Sequence, residues 1–430
     1  ITSGVTTIES TGQAANGLTV GNAITLINNG TISGDEETIA TTVDGSDNST
    51  AHDLKITNAG TIKATVDNDA LYLRDSDRAQ ITNTGTIEAN GATGIHLKLS
   101  DRANIVNSGN IIAGTNNGIF IEESTNAYIE NSGRVKAGEN DGIDLQDSTD
   151  AQVVNYGTIE AENDNGILIK GSTRAIINNT GTIKALDDDA VEGDTSFGAK
   201  LVNSGTIDAA DNNGIFFENS TDAYIENSGR IKAGANDGIT LKGSADARIE
   251  NTGTISGGQF RGINADETTD LVIINDGTIS AGGAEGIRLF GSTGARIENN
   301  GVIRGKLVGV NAAKANDSVT GTEIVNTGTI IADQNAVRLQ NNSTLRNSGT
   351  IQAIGTDKNA ILVTGTDTVV TLEPGSRIIG DIETDNTGNT LQLNMTAAGS
   401  VIYETTGDWT LESLDGQPVV EGSVIAAGVG

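Results

Sequence analysis

The 430-residue chain contains no cysteine, 2 prolines and 2 histidines. Without cysteine there is no disulfide, and a zinc site built from Cys and His is excluded. His52 and His96 stand far apart in the chain, and neither is near a recognisable pair of serine and acid, so a hydrolase triad has no support. Pro374 and Pro418 both lie outside the regular part of the sequence, as expected where strands need every backbone N–H.

Aromatic residues make up 3% of the chain, and 26 Lys and Arg face 57 Asp and Glu, which gives a net charge of −31. Such a charge repels phosphate groups, so we expect no nucleic-acid partner and no charge-driven binding to an anionic membrane. No apolar run is long enough for a transmembrane segment. No signal peptide is visible at Ile1, and we therefore expect a mature chain or a fragment.

Glycines recur at a fixed interval of 24 residues over a large part of the chain. Each one follows an Asn by two residues and precedes an Ile or Val by two. A fixed period of this size predicts a solenoid instead of a globular domain. The glycines are Gly85, Gly109, Gly133, Gly157, Gly181, Gly205, Gly229, Gly253, Gly277 and Gly301.

Each repeat contains three short segments with apolar residues at every second position, separated by turn residues. In the first unit they are Gly85–Ala89, Gly94–Leu97 and Ala103–Asn107. A period of two predicts strands, and no sustained helical period is present. We therefore predict an all-β, single-stranded, right-handed parallel β-helix with three strands per coil and roughly 15 coils. Residues such as Ile87, Ile111 and Val135 should form one buried column.

The Asn before each repeat glycine stands two positions after an inward apolar residue, so it should also point inward. A buried unpaired amide is costly, but stacked amides can bond to each other along the column. We predict an asparagine ladder at one corner of the coil. Its members are Asn28, Asn58, Asn83, Asn107, Asn131, Asn155, Asn179, Asn203, Asn227, Asn251, Asn275, Asn299, Asn326 and Asn347.

The spacing divides the chain into a solenoid over residues 1–370 and a C-terminal capping, autochaperone-like segment over residues 371–430. Three places interrupt the repeat and are predicted to be exposed loops, where a rigid scaffold usually carries its binding residues. They are Asp35–Asp53, Asp187–Ser196 and Asn311–Thr322.

The residue before the second segment alternates between Asn and Asp over six coils. Alternation keeps carboxylates two coils apart, which like-charge repulsion explains without a metal. The chain offers no cofactor site, no specific metal ligand set and no catalytic residue. A structural Ca²⁺ between Asp164, Asp188 and Asp189 is the secondary hypothesis, since Ca²⁺ takes carboxylate oxygens. The alternating residues are Asn117, Asp141, Asn165, Asp189, Asn213 and Asp237.

Three heptapeptides carry a family resemblance: ITNTGTI (Ile81–Ile87), IENSGRV (Ile129–Val135) and IVNTGTI (Ile324–Ile330). They resemble the passenger domains of type V autotransporters and related bacterial surface adhesins. The stretches Thr371–Asp381 and Val401–Gly430 resemble the end of such a passenger, which caps the helix and promotes its folding. The resemblance implies export across the outer membrane to the bacterial cell surface or the extracellular space.

These features favour a non-enzymatic adhesin or surface-coat protein. Its partner would be a glycan or protein on a host or neighbouring cell, or other copies of itself. One alternative is a self-assembling surface-layer or filament subunit bridged by divalent cations. The other is a polysaccharide-degrading β-helix enzyme, for which outward aromatic residues would supply sugar-stacking patches; more often such residues simply favour strand structure. Those residues are Phe120, Tyr128, Phe216 and Tyr224.

Overall fold

The computed structural model describes residues 4–8, 13–15, 17–35, 37–40, 51–313, 319–394 and 404–414. These residues form strands, turns and bends, and no helix occurs among them. The chain divides into two compact units, Ile1–Ile215 and Phe216–Gly430. Each unit is a β-solenoid made of three parallel sheets, here named A, B and C in the order in which a coil enters them.

In the N-terminal unit each regular coil gives one strand to each sheet. Sheet A contains Val5–Ile8, Thr25–Asn28, Lys55–Asn58, Gln80–Asn83, Asn104–Asn107, Tyr128–Asn131, Gln152–Asn155, Ile176–Asn179 and Lys200–Asn203. Sheet B contains Gln13–Ala15, Thr31–Gly34, Thr61–Ala64, Thr86–Ala89, Asn110–Ala113, Arg134–Ala137, Thr158–Ala161, Thr182–Ala185 and Thr206–Ala209. Sheet C contains Leu18–Thr19, Ile39–Ala40, Leu71–Arg74, Ile95–Lys98, Ile119–Glu122, Ile143–Gln146, Ile167–Lys170 and Val191–Asp194.

The C-terminal unit repeats the arrangement. Sheet A contains Tyr224–Asn227, Arg248–Asn251, Val272–Asn275, Arg296–Asn299, Glu323–Asn326, Thr344–Asn347, Val369–Leu372, Asn389–Leu393 and Trp409–Ser413. Sheet B contains Arg230–Ala233, Thr254–Ser256, Thr278–Ser280, Val302–Gly305, Thr329–Ala332, Thr350–Ala353 and Arg377–Ile379. Sheet C contains Ile215–Glu218, which starts at the unit boundary, and Ile239–Lys242, Ile263–Asp266, Ile287–Phe290, Val308–Ala312, Asn335–Leu339, Asn359–Val363, Asp381–Thr384 and Thr405–Thr406.

The predicted β-helix with three strands per coil is confirmed. Sheet B, which takes one strand per coil, has 16 strands in the described residues of the two units, close to the predicted number of coils. Ile87 pairs in register with Ile111, and Ile111 with Val135, so the predicted column is continuous there. All three side chains are fully buried. The handedness of the coil stays a prediction.

The asparagine ladder is also present. Asn83 Nδ2 donates to Asn107 Oδ1 at 2.7 Å, and Asn107 Nδ2 donates to Asn131 Oδ1 at 2.8 Å. Each of these amides bonds a backbone carbonyl as well, so the buried donors are satisfied. The following glycine is required by close approach: a Cβ on Gly109 would lie 2.0 Å from the carbonyl oxygen of Gly85.

One of the three predicted loops is wrong. Within Asp187–Ser196 the residues Val191–Asp194 form a regular strand of sheet C that pairs with Ile167–Lys170. The pattern hid this strand because Gly193 takes the inward position that Ile169 holds in the coil before. In the other two segments, residues 36, 41–50 and 314–318 lie outside the described residues, and the strand Val308–Ala312 extends into Asn311–Thr322.

Strands continue in parallel register beyond residue 370. Val369–Leu372 pairs with Asn389–Leu393, which pairs with Trp409–Ser413. Residues 395–403 and 415–430, including Tyr403 and most of the predicted cap, lie outside the described residues. The boundary at residue 370 stays a prediction. None of the described residues forms a helix long and apolar enough to cross a membrane.

Candidate functional site: a track of carboxyl groups on sheet C

The outward side chains of sheet C in the N-terminal unit stand in one column. The register places Phe120 beside Asp144, Asp144 beside Leu168 and Leu168 beside Glu192 on adjacent strands. Strands lie about 4.8 Å apart, so Asp144 and Glu192 are separated by about 9.6 Å along the sheet. The two acids therefore flank the apolar Leu168.

A second column stands three residues before each of these outward residues and is formed by the alternating Asn and Asp. In every second coil a residue of this column bonds the outward residue of the next coil. Asn117 Nδ2 lies 3.3 Å from Asp144 Oδ2, and Asn165 Nδ2 lies 2.7 Å from Glu192 Oε2. His96 Nδ1 lies 3.1 Å from Asp69 Oδ2 in the same way. Polar pairs thus alternate with Phe120 and Leu168 at intervals of two coils.

Asp144 is 7% exposed, and its two oxygens differ. Oδ2 accepts the bond from Asn117, whereas Oδ1 is buried and has no hydrogen-bond partner. Burial raises the pKa of Asp144 to about 7, against the opposing effects of the Asn117 bond and the Lys170 charge. This carboxyl group is therefore partly protonated near neutral pH, and its buried Oδ1 has no hydrogen-bond partner in the protein.

Neighbouring acids share this behaviour. Burial, followed by the charges of Asp144 and Asp164, raises the pKa of Asp141 to about 8. Burial raises the pKa of Asp189 to about 7. The pKa of Glu192 is raised mainly by burial as well, and so is that of Asp164, which also feels the charge of Asp188. We name these five acids the acidic track: Asp141, Asp144, Asp164, Asp189 and Glu192.

Asn165 departs from the pattern of its column. Asn117 Oδ1 accepts the backbone N–H of Asp141 in the next coil, and Asp141 Oδ1 accepts that of Asn165. Asn165 Nδ2 lies 2.7 Å from Glu192 Oε2 and 3.0 Å from Asp164 Oδ1, but the backbone N–H of Asp189 in the next coil donates to Asp188. The Oδ1 atom of Asn165 is left buried without a partner, and Asn165 is 2% exposed. A break in a regular ladder that leaves an unsatisfied group is typical of a functional site.

An aromatic stack continues the column on one side of Asp144. The rings of Tyr72 and His96 meet edge to face at 4.9 Å, and those of His96 and Phe120 stack at 4.7 Å. His96 Nε2 lies 3.7 Å from Glu122 Oε2. The stack places three half-buried rings in the column beside Asp144. His52 is elsewhere, 3.6 Å from Asp77, and does not join the track.

The predicted Ca²⁺ ligands Asp164, Asp188 and Asp189 do lie in adjacent coils. Asp188 Oδ1, however, accepts the backbone N–H of Asp189, and Asp189 Oδ1 accepts from Asn213. Within the described part of the chain, no three His, Asp or Glu side chains are arranged to hold one metal ion.

The sequence analysis named no catalytic residue and missed Asp144 and Glu192. A constant sequence separation could have revealed both pairs. Asn117 and Asp144, like Asn165 and Glu192, are separated by 27 residues, which is one coil of 24 residues plus three positions. A repeat of 24 residues places such pairs side by side. Phe120, one of the four outward aromatic residues of the sequence analysis, lies in the aromatic stack, and its contact with a sugar stays a prediction.

Comparison with known proteins assigns the fold of the N-terminal unit. Residues 2–214 match the family described as the BigA third pectate lyase-like domain. This unit has a pectate-lyase-like β-helix fold. No curated protein matches the chain. The assignment to autotransporter passengers and adhesins stays a prediction.

Several solved structures resemble the chain loosely over more than nine-tenths of its length. The A-module of the Azotobacter vinelandii mannuronan C-5 epimerase AlgE4 is 12% identical, with 95% of this chain and 91% of that one covered and a TM-score of 0.24. The A-module of epimerase AlgE6 from the same organism is 12% identical over 91% and 89%, with a TM-score of 0.26. The Agl-KA catalytic domain is 11% identical over 96% and 62%, with a TM-score of 0.18.

The expectation of a protein without catalytic activity is wrong. The family matched by residues 2–214 is described as pectate lyase-like, which links the unit to a fold of carbohydrate-active enzymes. That expectation was drawn from the scarcity of histidine and the absence of cysteine. Carboxyl groups with raised pKa values need neither residue to perform acid–base chemistry.

Proposed function

We propose that the N-terminal unit is a polysaccharide-degrading β-helix enzyme that hydrolyses glycosidic bonds at the acidic track. The observation that supports this most directly is Asp144, whose pKa is raised to about 7, whose Oδ1 has no hydrogen-bond partner and which lies beside Phe120 of the aromatic stack. The pectate-lyase-like fold agrees with a polysaccharide substrate. The passenger-like repeats extend the proposal to an enzyme displayed at a bacterial surface.

In the proposed reaction Asp144 is the general acid and Glu192 the general base. Asp144 donates its proton to the glycosidic oxygen while the bond from that oxygen to the anomeric carbon breaks. Glu192 takes a proton from water, whose oxygen forms the new bond to the anomeric carbon. The strand spacing separates the two acids by about 9.6 Å, close to the range of about 6.5–9.5 Å that leaves room for a water molecule. We therefore expect inversion at the anomeric carbon.

The sugar chain would run along the column, with rings on Tyr72, His96 and Phe120. Polar pairs recur every two coils, so a polysaccharide with a two-sugar repeat would meet the same contacts at each repeat. Asn117 and Asn165 would orient the two reacting carboxyl groups, since each bonds one of them.

The test is to incubate the purified chain with a panel of neutral and acidic polysaccharides and to measure new reducing ends. Asp144→Asn should lower the rate by at least about a hundredfold, the usual contribution of a general acid. Asp147→Asn, an exposed acid three residues away, is the matched control and should leave the rate unchanged.

Two outcomes would contradict the proposal. Unsaturated products, detected by their ultraviolet absorbance, would mean elimination instead of hydrolysis. Binding of glycans without product from any substrate would favour the adhesin hypothesis of the sequence analysis.

A further inference from the structure

The C-terminal unit carries a different arrangement at the outward positions of its own sheet C. Asn264 pairs in register with Arg288, and Arg288 with Asn311, on three adjacent strands. A cation thus stands between two amides. This site lies outside the residues that match the pectate-lyase-like family.

Arg288 is half-buried, and its guanidinium carbon lies 4.1 Å from the centre of the Phe290 ring. No carboxylate in the described ranges of the chain lies within ion-pair distance of it. Burial, followed by the charge of Arg261, lowers the pKa of Arg288, while Glu285, Asp266 and Asp237 oppose the shift from a distance. In a chain with a net charge of −31, a half-buried arginine without an ion pair is unusual.

The neighbouring arginine is already neutralised. Arg261 Nε donates to Glu285 Oε2 at 2.9 Å, and Arg261 Nη1 lies 3.6 Å from Asp237 Oδ2. The second oxygen of Glu285 accepts from Asn311 Nδ2 at 3.3 Å. Arg261 is therefore in ion pairs, whereas Arg288 has no carboxylate at ion-pair distance among the described residues.

The two amides beside Arg288 have unused acceptors. Asn264 and Asn311 are each 8% exposed, and the Oδ1 atom of each is buried without a hydrogen-bond partner. Leaving a buried carbonyl oxygen unpaired is unfavourable, so two such atoms on either side of a guanidinium without an ion pair indicate a missing ligand. That ligand must accept from Arg288 and donate to both amides.

We propose that Arg288, Asn264 and Asn311 bind an oxyanion, carboxylate or sulfate, carried by a hydroxyl-rich acidic sugar. The planar guanidinium donates two parallel bonds to the anion, and the sugar hydroxyls donate to the two amide oxygens. Phe290 covers one face of the guanidinium and keeps it oriented. The inference does not depend on hydrolysis by the N-terminal unit.

The test measures binding of the whole chain to a galacturonic acid hexamer by calorimetry. Its fully methyl-esterified form has the same sugar rings without the charge, and a heparin-derived hexasaccharide carries sulfate. Arg288→Gln should weaken binding of the acidic hexamer about tenfold or more, since a bond between charged groups is lost. Added salt should weaken binding by the wild-type chain.

The variants separate the site from general charge. Arg288→Lys keeps the charge but not the fork and should bind more weakly than the wild type. Arg248→Gln is the matched control, since Arg248 belongs to sheet A and is paired with Glu250. Asn264→Ala should also weaken binding while leaving the salt dependence intact.

A preference for the sulfated over the carboxylated oligosaccharide assigns the anion to sulfate and supports the site. Equal affinity for the methyl ester, or full affinity in a folded Arg288→Gln variant, would overturn it. Loss of binding in Arg288→Gln with normal hydrolysis elsewhere would leave the proposed enzyme untouched, so the two proposals fail separately.

Discussion

Asn165 Nδ2 lies 2.7 Å from Glu192 Oε2 across adjacent coils of the N-terminal unit. Asn117 and Asp141 accept backbone N–H groups of the next coil through their Oδ1 atoms, whereas the backbone N–H of Asp189 donates to Asp188 and makes no bond to Asn165. The Oδ1 atom of Asn165 is buried without a hydrogen-bond partner, and this lowers the free energy of unfolding. We infer that Asn165 serves the acidic track in preference to the coil.

The proposed hydrolysis should lose activity as Asp144 loses its proton. Since the pKa of Asp144 is raised to about 7, the rate should fall above that pH. The charge of Lys170 opposes the shift, because it favours the carboxylate. Lys170→Met should therefore move the alkaline limb of the pH–rate profile to higher pH.

Lys184→Met provides the control, because Lys184 lies on sheet B away from the track. Other charges facing Asp144, namely Asp164 and Glu122, remain in both variants. An alkaline limb that stays in place in Lys170→Met would remove Asp144 from the role of the acid.

Stability should fall as the pH rises through neutrality. The folded chain holds a proton on Asp141, whose pKa is raised to about 8, while the unfolded chain loses it near the ordinary aspartate value of 3.8. Between these values the folded state binds more protons, so the free energy of unfolding decreases with increasing pH. The contribution is fully present below pH 4 and lost near pH 8.

Asp141→Asn removes this titration and keeps the side-chain oxygen that accepts from Asn165. Urea unfolding at pH 5 and at pH 8 should show a smaller difference for the variant than for the wild type. Asp147→Asn, which replaces an exposed acid, should leave the stability difference between pH 5 and pH 8 as it is in the wild type. A wild-type chain that is more stable at pH 8 than at pH 5 would mean that Asp141 is ionised in the folded state.

The asparagine ladder should contribute measurably to stability. Asn155→Ala removes the acceptor of Asn131 and the donor to Asn179, which lie at 2.8 Å on either side. We expect a loss of about 1–3 kcal/mol in the free energy of unfolding, measured by urea denaturation, because buried partners remain unpaired. Asn163→Ala, at an exposed turn, is the control. Equal midpoints for the two variants would show that the ladder amides are replaceable by water.

The repeat made the scaffold predictable. Period-two patterns located the strands, and the position of each Asn relative to an inward Ile fixed the ladder, because both depend on local alternation along the chain. The sequence pattern did not predict the strand Val191–Asp194, because Gly193 has no side chain to mark an inward position.

The site depends on contacts between coils, which a strand pattern does not contain. Asp144 resembles any outward acid in the sequence, and its raised pKa arises from burial among residues of neighbouring coils. The pair formed by Asn165 and Glu192 could have been found only by aligning successive coils with an offset of three. The sequence did not single out Arg288 for the same reason, since the residues on the adjacent strands decide whether it has a carboxylate partner.

The asparagine ladder also shows where a gene for such a protein can gain or lose codons. Asn28 and Asn58 are 30 residues apart and Asn83 and Asn107 are 24 apart, yet each pair makes the same amide bond at 2.7 Å. In the C-terminal unit the spacing narrows to 21 between Asn326 and Asn347 without loss of the bond. Codons can therefore be gained or lost within the turns of a coil while its neighbours keep their register. Peptide tags placed in those turns should be tolerated for the same reason.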